Sequence, residues 1–392
     1  MLTPLPLPEL EADELAHCAR VEALIVSEID AAGGWISFAR FMELALFAPG
    51  LGYYSAGARK FGAHGDFVTA PELTPVFGAC LARSIAGVLA DTGGGDLLEV
   101  GAGSGVLAAS LLPELRALGR LPRRYRILEV SGELRERQRQ ALAPLGDLAA
   151  QVEWLDAPPA EAWDGVLIAN EVLDALPVER FALAEEGLGC IGVVRSAPGF
   201  AFETRPADGA LAELVNRRLA GLGRMPAGYV SEIALWSGPW VEALLTGLQR
   251  GLALFVDYGL PRAQYYHPSR QGGTLCGYFR HRRVEDVLAR PGLQDLTAWV
   301  DFTTVAEAGL AAGFEVAGFS TQAHFLVDCG LDAALDRHLR GLEPLAARRL
   351  TQAAATLVLP GEMGERFKVL GLGRGLDSAV QGFGFRDLAG SL

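Results

Sequence analysis

The stretch from Leu97 to Gly105, Leu-Leu-Glu-Val-Gly-Ala-Gly-Ser-Gly, constrains the fold of this chain more than any other. Asp96 to Val100 reads as a short buried strand, and glycines at 101, 103 and 105 then turn the chain into a helix starting near Val106. Without a Cβ, glycine takes positive φ at little cost and lets a ligand approach the backbone closely. The free N–H groups and positive dipole end of the following helix favour an electron-rich group at the turn. Strand, glycine turn and helix in this order put a small-molecule site at the carboxyl edge of a parallel sheet. The spacing narrows the ligand. A dinucleotide fingerprint needs its third glycine at position 106, which is Val106, and a phosphate-cradling loop needs Lys followed by Ser or Thr. Neither is present. The remaining pattern, Glu99-x-Gly101-x-Gly103-x-Gly105, leaves a cofactor turn or a plain glycine-rich turn without ligand.

A chain of 392 residues, half of them hydrophobic, buries a large core and is long for one domain. A net charge of −13 argues against nucleic acid as main partner, since phosphate binding needs clustered cations. Lys60 and Lys368 are the only lysines, so a single arginine says less than usual about function. Cys18, Cys80, Cys190, Cys276 and Cys329 are odd in number and form no C-x-x-C pair, which suits reduced thiols and offers no metal signature. The proline-rich start, Met1 to Leu10, lacks the basic residues of a targeting peptide, and no apolar run approaches membrane-spanning length. The expectation is a soluble, cytoplasmic protein.

Helical spacing runs from Glu11 to Ala31, from Phe38 to Phe47 and from Pro75 to Ala90. A polar, glycine-broken loop, Gly62 to Glu72, lies between the second and third of these. From Asp96 the pattern alternates strand and helix. Further strands are expected at Tyr125–Val130, Val152–Leu155 and Gly165–Ala169, then Leu252–Val256, Phe314–Phe319 and Phe367–Leu372. This order predicts an α/β protein with a doubly wound, Rossmann-like sheet. Between the fourth and fifth strands, Phe181 to Arg205 reads as an antiparallel meander followed by helices, an α+β insertion. The expected organisation is an N-terminal helical region with a cofactor-covering loop (1–92) and the first half of the sheet domain (93–177). An inserted lid or substrate module (178–250) and the second half of the sheet domain with an irregular loop (251–392) follow.

Glu129, near the end of the second strand, is placed to accept both hydroxyls of a ribose. Asp156, ending the third strand, is the expected neighbour of an adenine amino group. The fourth strand stops at Asn170-Glu171, followed by Val172-Leu173-Asp174-Ala175-Leu176-Pro177. A guanidinium acceptor, with a pKa above about 12, needs a carboxylate to grip and polarise it. Glu171 and Asp174, three apart, would share one face of a helical turn and form that grip; helix capping plus a surface acid is the bland alternative. Gly65, Asp66, Phe67 and Thr69 are expected to cover the cofactor, with Asp66 on an ammonium group and Phe67 shielding a cation. His281, in Tyr278-Phe279-Arg280-His281-Arg282, is the candidate neutral-pH base, though a solvated loop histidine fits the same residues. Asp257-Tyr258-Gly259 suits an acceptor pocket or a satisfied turn equally.

Glu99 to Gly105 resembles the first motif of class I S-adenosylmethionine methyltransferases. Taken in order, several stretches resemble the MidA family, bacterial relatives of a mitochondrial complex I assembly factor that is an arginine methyltransferase. They are Gly52-Tyr53-Tyr54, Gly65-Asp66-Phe67-x-Thr69-x-Pro71-Glu72, Ala169-Asn170-Glu171-x-x-Asp174-Ala175-Leu176-Pro177, Asp257-Tyr258-Gly259 and Tyr278-x-Arg280-His281-Arg282. Asp301-Phe302-Thr303, Thr321-Gln322-Ala323 and Pro360-Gly361-Glu362-Met363-Gly364 extend the likeness nearly to the end. The resemblance implies a class I fold and S-adenosyl-L-methionine as cofactor, held by Glu99, Gly101, Ala102, Gly103, Gly105, Glu129, Asp156 and Asn170 with the Gly65–Thr69 loop. It also implies Glu171, Asp174 and Asn170 at the reacting end, with a protein substrate. That substrate is an arginine of a respiratory-complex subunit or of another protein. Trp299 and Cys276-Gly277-Tyr278 depart from the family pattern, so acceptor specificity does not transfer through them. Three readings stand beside one another: methylation of a protein side chain, methylation of a small molecule, and a cofactor-binding assembly factor without essential catalysis.

Overall fold

In the computed structural model the glycine motif sits at the centre of a mixed sheet. The structure describes residues 8–56, 69–185 and 187–392. The sheet contains β1 (Asp96–Val100), β2 (Tyr125–Leu128), β3 (Val152–Leu155), β4 (Trp163–Asn170), β5 (Leu248–Leu260), β6 (Glu315–Thr321) and β7 (Phe367–Arg374). Their order across the sheet is β6-β7-β5-β4-β1-β2-β3, with the short segment Val300–Asp301 pairing β5 in addition. β1 through β5 are mutually parallel, and β7 lies antiparallel between β5 and β6. β1 is buried at every position, its Asp96 and Glu99 included, and β5 at all but two, as strands covered on both faces should be.

The chain leaves β1 towards β2 and β3 on one side, then returns to place β4 on the other. This reversal between β1 and β4 opens a crevice at the carboxyl ends of the strands, where doubly wound sheets bind ligands. The helix Val106–Ala117 (α1) follows β1, and Gly132–Leu142 (α2) follows β2. α1 begins directly from the glycine turn. Ser131 caps α2, its Oγ accepting from the Leu134 N–H.

The described chain divides into two compact units. The α/β unit takes residues 69–173, Ser237–Pro261 and Val300–Leu392. The other takes residues 8–56, 174–236 and Arg262–Trp299. Segments distant in sequence build each one, which continuous blocks read along the chain do not capture. Helix Pro75–Asp91 belongs to the α/β unit, whereas Ala12–Ala31 and Phe38–Phe47 belong to the second. The segment 178–250 is divided likewise: its helix Ser237–Leu245 and the start of β5 lie in the α/β unit.

The second unit is antiparallel. Glu179–Ala184, Gly187–Arg195 and Phe200–Pro206 form the meander, Tyr229–Ile233 adds to Glu179–Ala184, and Ile36–Ser37 pairs with Gly187–Arg195. Val21, Ile25, Ile29, Phe38, Phe41 and Met42 pack with Val178, Val193, Val287 and Leu296 into a core of its own. The connection expected to be irregular holds a three-stranded sheet of Cys276–Phe279, Arg282–Val284 and Asp295–Thr297. No helix among the described residues is long and apolar enough to cross a membrane.

Candidate functional site

The site is built from the carboxyl ends of β1, β2 and β4. After β1, Gly101, Gly103 and Gly105 all take positive φ, +64°, +53° and +84°. A side chain at Gly105 would come within 3.0 Å of the Gln138 Cα on α2, and one at Gly101 within 3.0 Å of the Val172 Cγ2. Both glycines are therefore required by conformation and by space. Ala102, buried, accepts the Gly105 N–H on its carbonyl at 2.8 Å and closes the turn. Ser104 donates its hydroxyl to Glu72 on the short helix Ala70–Leu73. Thr69 stands at the start of that helix, its carbonyl accepting the N–H groups of Glu72 and Leu73.

Glu99 is buried within β1 and accepts the Tyr125 hydroxyl at 2.6 Å. Burial pushes its carboxyl up to about 7, only partly opposed by that hydrogen bond. It braces β1 against β2 directly beneath the glycine turn.

Glu129 follows β2 and is 7% exposed. Its Oε1 accepts the Ser131 N–H at 2.9 Å and its Oε2 accepts the Gln138 amide at 3.2 Å. Burial raises its carboxyl above the usual range, while the Ser131 N–H, the Gln138 amide and the Arg135 charge pull the other way. A carboxylate offers about four lone-pair positions, so acceptor capacity remains for a pair of hydroxyls. Val130, beside it, is 77% exposed, an apolar surface at the rim. Asp156, after β3, has an 85% exposed side chain and pairs with Arg135 at 2.6 Å. Arg135 also donates to the carbonyls of Glu129 at 2.6 Å and Leu155 at 2.9 Å, stapling the ends of β2 and β3 together.

At the end of β4, Asn170 donates its Nδ2 to Glu171 Oε1 at 3.2 Å, and its Oδ1 is buried without a hydrogen-bond partner among the described residues. Glu171 Oε1 also accepts the Ala70 N–H at 3.2 Å. The helical turn expected over Glu171–Asp174 is not formed. Glu171 has φ +54°, in the left-handed region, and only Leu173–Ala175 make a 3-10 turn. The two carboxylates thus share no helical face. The cause lies in β5: the Glu171 N–H is held by the Val256 carbonyl at 2.8 Å, and the buried Asp257 accepts the N–H groups of Leu173 at 3.0 Å and Tyr258 at 2.9 Å. A non-glycine residue in this region costs on the order of 1–3 kcal/mol and persists where surrounding bonds over-determine it.

The remaining expected site residues lie in the second unit or outside the described chain. Asp174 is buried, accepting the Thr297 hydroxyl at 2.7 Å and, on its carbonyl, the Ala298 N–H at 3.1 Å. His281 is exposed at a two-residue hairpin turn, where Arg280 and His281 both have positive φ, +48° and +60°. Gly65, Asp66 and Phe67 fall outside the described residues.

Gln138, Trp154, Arg135 and Tyr125 are not evident as site residues from the sequence. One signal is available for Gln138: it lies between Leu134 and Leu142 at helical spacing, a polar residue in the apolar stripe of α2.

These residues fit S-adenosyl-L-methionine. The glycine turn admits close approach, Glu129 offers acceptors for ribose hydroxyls, and the unpartnered Asn170 Oδ1 offers an acceptor for an ammonium group. A family model of S-adenosyl-L-methionine-dependent methyltransferases matches residues 80–320. A crystal structure of a superfamily member from Burkholderia thailandensis bound to S-adenosyl-homocysteine is 43% identical and superposes with TM-score 0.92, covering 99% of this chain and 100% of that one. Among curated proteins, "Protein arginine methyltransferase NDUFAF7, mitochondrial" of Danio rerio is 29% identical over 377 residues, covering 86% of this chain and 83% of the relative. Its Mus musculus counterpart is 30% identical over 369 residues, covering 86% and 81%. The sheet order and the antiparallel β7 are those of the class I fold. The chain belongs to the S-adenosyl-L-methionine-dependent methyltransferases of the MidA type.

Proposed function

We propose that this methyltransferase acts on a protein, with an arginine side chain as acceptor, in the cytoplasm. The observation that carries the reading is the strained Glu171 at the end of β4, its carboxylate paired with the Asn170 amide. The relatives named as protein arginine methyltransferases support the acceptor class. The five buried free cysteines support a reducing compartment.

Bound S-adenosyl-L-methionine supplies a methyl group on a cationic sulfur. Transfer would break the carbon–sulfur bond as a guanidino nitrogen forms the new carbon–nitrogen bond, releasing S-adenosyl-homocysteine, and the proton lost from that nitrogen would pass to solvent. Glu171 would grip the guanidinium, turn one nitrogen in line and lower the cost of the charge that develops as its lone pair engages. Asn170 would hold the Glu171 carboxylate and offer its Oδ1 to the cofactor's amino-acid end. Glu129 would take the ribose hydroxyls, with Gly101, Ala102, Gly103 and Gly105 under the methionine part and Asp156 near the adenine. The Gly65–Thr69 loop would cover that end, Asp66 on the ammonium and Phe67 over the sulfonium. Asp174, engaged with Thr297, and His281, on an exposed turn, are given no step.

The test is incorporation of labelled methyl from S-adenosyl-L-methionine into a lysate of the source organism, followed by mass spectrometry. Label on arginine of a protein is the expected result. Label confined to small molecules overturns the protein acceptor. No label anywhere, with S-adenosyl-homocysteine still bound, favours a cofactor-binding assembly role.

A further inference from the structure

Gln138 is fully buried on α2, and each end of its amide meets a different partner. Its Nε2 lies 3.0 Å from the Gly103 carbonyl and 3.2 Å from Glu129 Oε2. Its Oε1 lies 2.8 Å from the Trp154 indole Nε1 on β3. An indole N–H can only donate, and a backbone carbonyl can only accept. The amide therefore has one workable orientation: oxygen towards Trp154, NH2 towards Gly103 and Glu129. The flipped amide would set N–H against N–H and oxygen against two oxygens.

We propose that Gln138 is the positioning residue that fixes the Glu129 carboxylate to the glycine turn, and that Trp154 is the residue that fixes Gln138. One NH2 group bridges an acceptor after β1 and an acceptor after β2, so the turn and the carboxylate keep a set separation. The close approach of α2 to Gly105 gives that bridge no slack, since even a methyl group at Gly105 would press on the Gln138 Cα. Trp154 is itself held by the Arg139 guanidinium, which stands over its ring 4.9 Å from the indole centroid. The relay Trp154–Gln138–Glu129 sets how strictly the ribose hydroxyls are recognised. It rests on the reading of Glu129 as the ribose acceptor.

The experiment is calorimetric binding of S-adenosyl-homocysteine and of its 2′,3′-dideoxyribosyl analogue to the full chain. The proteins are wild type, Gln138→Met, Trp154→Phe, Glu129→Gln and the Glu129→Gln/Gln138→Met double variant. Gln138→Met should weaken S-adenosyl-homocysteine about tenfold, the usual scale for a hydrogen bond to a charged group. It should leave the dideoxy analogue within about twofold of wild type, because that ligand does not use Glu129. Trp154→Phe keeps the ring in place and should show the same ligand selectivity at about threefold, so it carries the test if Gln138→Met does not fold. The double variant should be no weaker than Glu129→Gln alone, since both act through one contact. Equal loss of both ligands in Gln138→Met and Trp154→Phe overturns the proposal. Wild-type binding in those two variants, with Glu129→Gln weakened, overturns the relay alone. Wild-type binding in Glu129→Gln overturns the ribose assignment and the relay with it.

Discussion

The two ends of the candidate site, after β2 and after β4, are both made by a glutamate leaving a buried parallel strand, and they are built in opposite ways. Glu129 has ordinary surroundings: a capping N–H from Ser131, an amide from Gln138, and an arginine stapling the strand end behind it. Glu171 sits on left-handed backbone next to an asparagine whose Oδ1 is buried without a partner among the described residues. The first arrangement suits a contact that must be the same in every turnover. The second places left-handed backbone at the residue proposed to aim the acceptor, and functional sites are where such strain tends to persist. In the proposed reading, holding and reacting are separated along one sheet edge.

The comparison is broken most directly at the reacting end. Glu171→Gln should reduce the rate of methyl transfer by about 10²- to 10⁴-fold while S-adenosyl-homocysteine affinity changes little. A parallel loss of binding and rate would show that both ends hold the cofactor. Steady-state kinetics beside calorimetry separates the two outcomes.

Glu99, on β1 between those ends, titrates at about 7 in the folded chain against an ordinary value of 4.5. Between these values the folded state keeps a proton that the unfolded state has lost, so stability falls as pH rises through that window. Glu99→Gln should remove this fall and be more stable above pH 7 by up to about 3 kcal/mol, since each pH unit across the window is worth about 1.36 kcal/mol. Denaturant unfolding at pH 5 and pH 8 measures it. A wild-type slope in the variant would assign the fall to another group.

At the holding end, Glu129→Gln should weaken S-adenosyl-homocysteine by about 10- to 100-fold and leave kcat at saturating cofactor within a few-fold. A large kcat loss instead would mean that the ribose contact is used in the transition state. The smallest effect is expected at the turn that joins the ends. Gly101→Ala puts a Cβ at φ +64° and 3.0 Å from Val172, and should cost about 1–2 kcal/mol of stability. Thermal unfolding reads that cost, and an unchanged midpoint would show that the turn relaxes.

The acids at both strand ends are legible in the sequence; the backbone conformation at Glu171 is not. Glycine spacing is a local demand: three positive-φ positions between a strand and a helix can be read from residue type alone. Glu129 is legible because strand, turn and helix boundaries fix which residue leaves a strand. At Glu171, local spacing favours a helical turn. The structure differs because the Val256 carbonyl and the Asp257 carboxylate, more than eighty residues later, take the N–H groups of Glu171 and Leu173. Gln138 is hidden for a related reason. Its function depends on Trp154 and Gly103, which approach it from two other segments.

By itself the sequence determined the order of strands and helices in the main sheet, the glycine turn, and the acids that close β2 and β4. These follow from hydrophobic period and backbone preference, which act over a few residues. Tertiary structure alone decided that the N-terminal helices join the antiparallel unit, that Ser237–Leu245 joins the other, and that Glu171 adopts a left-handed conformation. Those outcomes depend on pairing between segments far apart in the chain, where burial and hydrogen-bond partners outweigh local propensity.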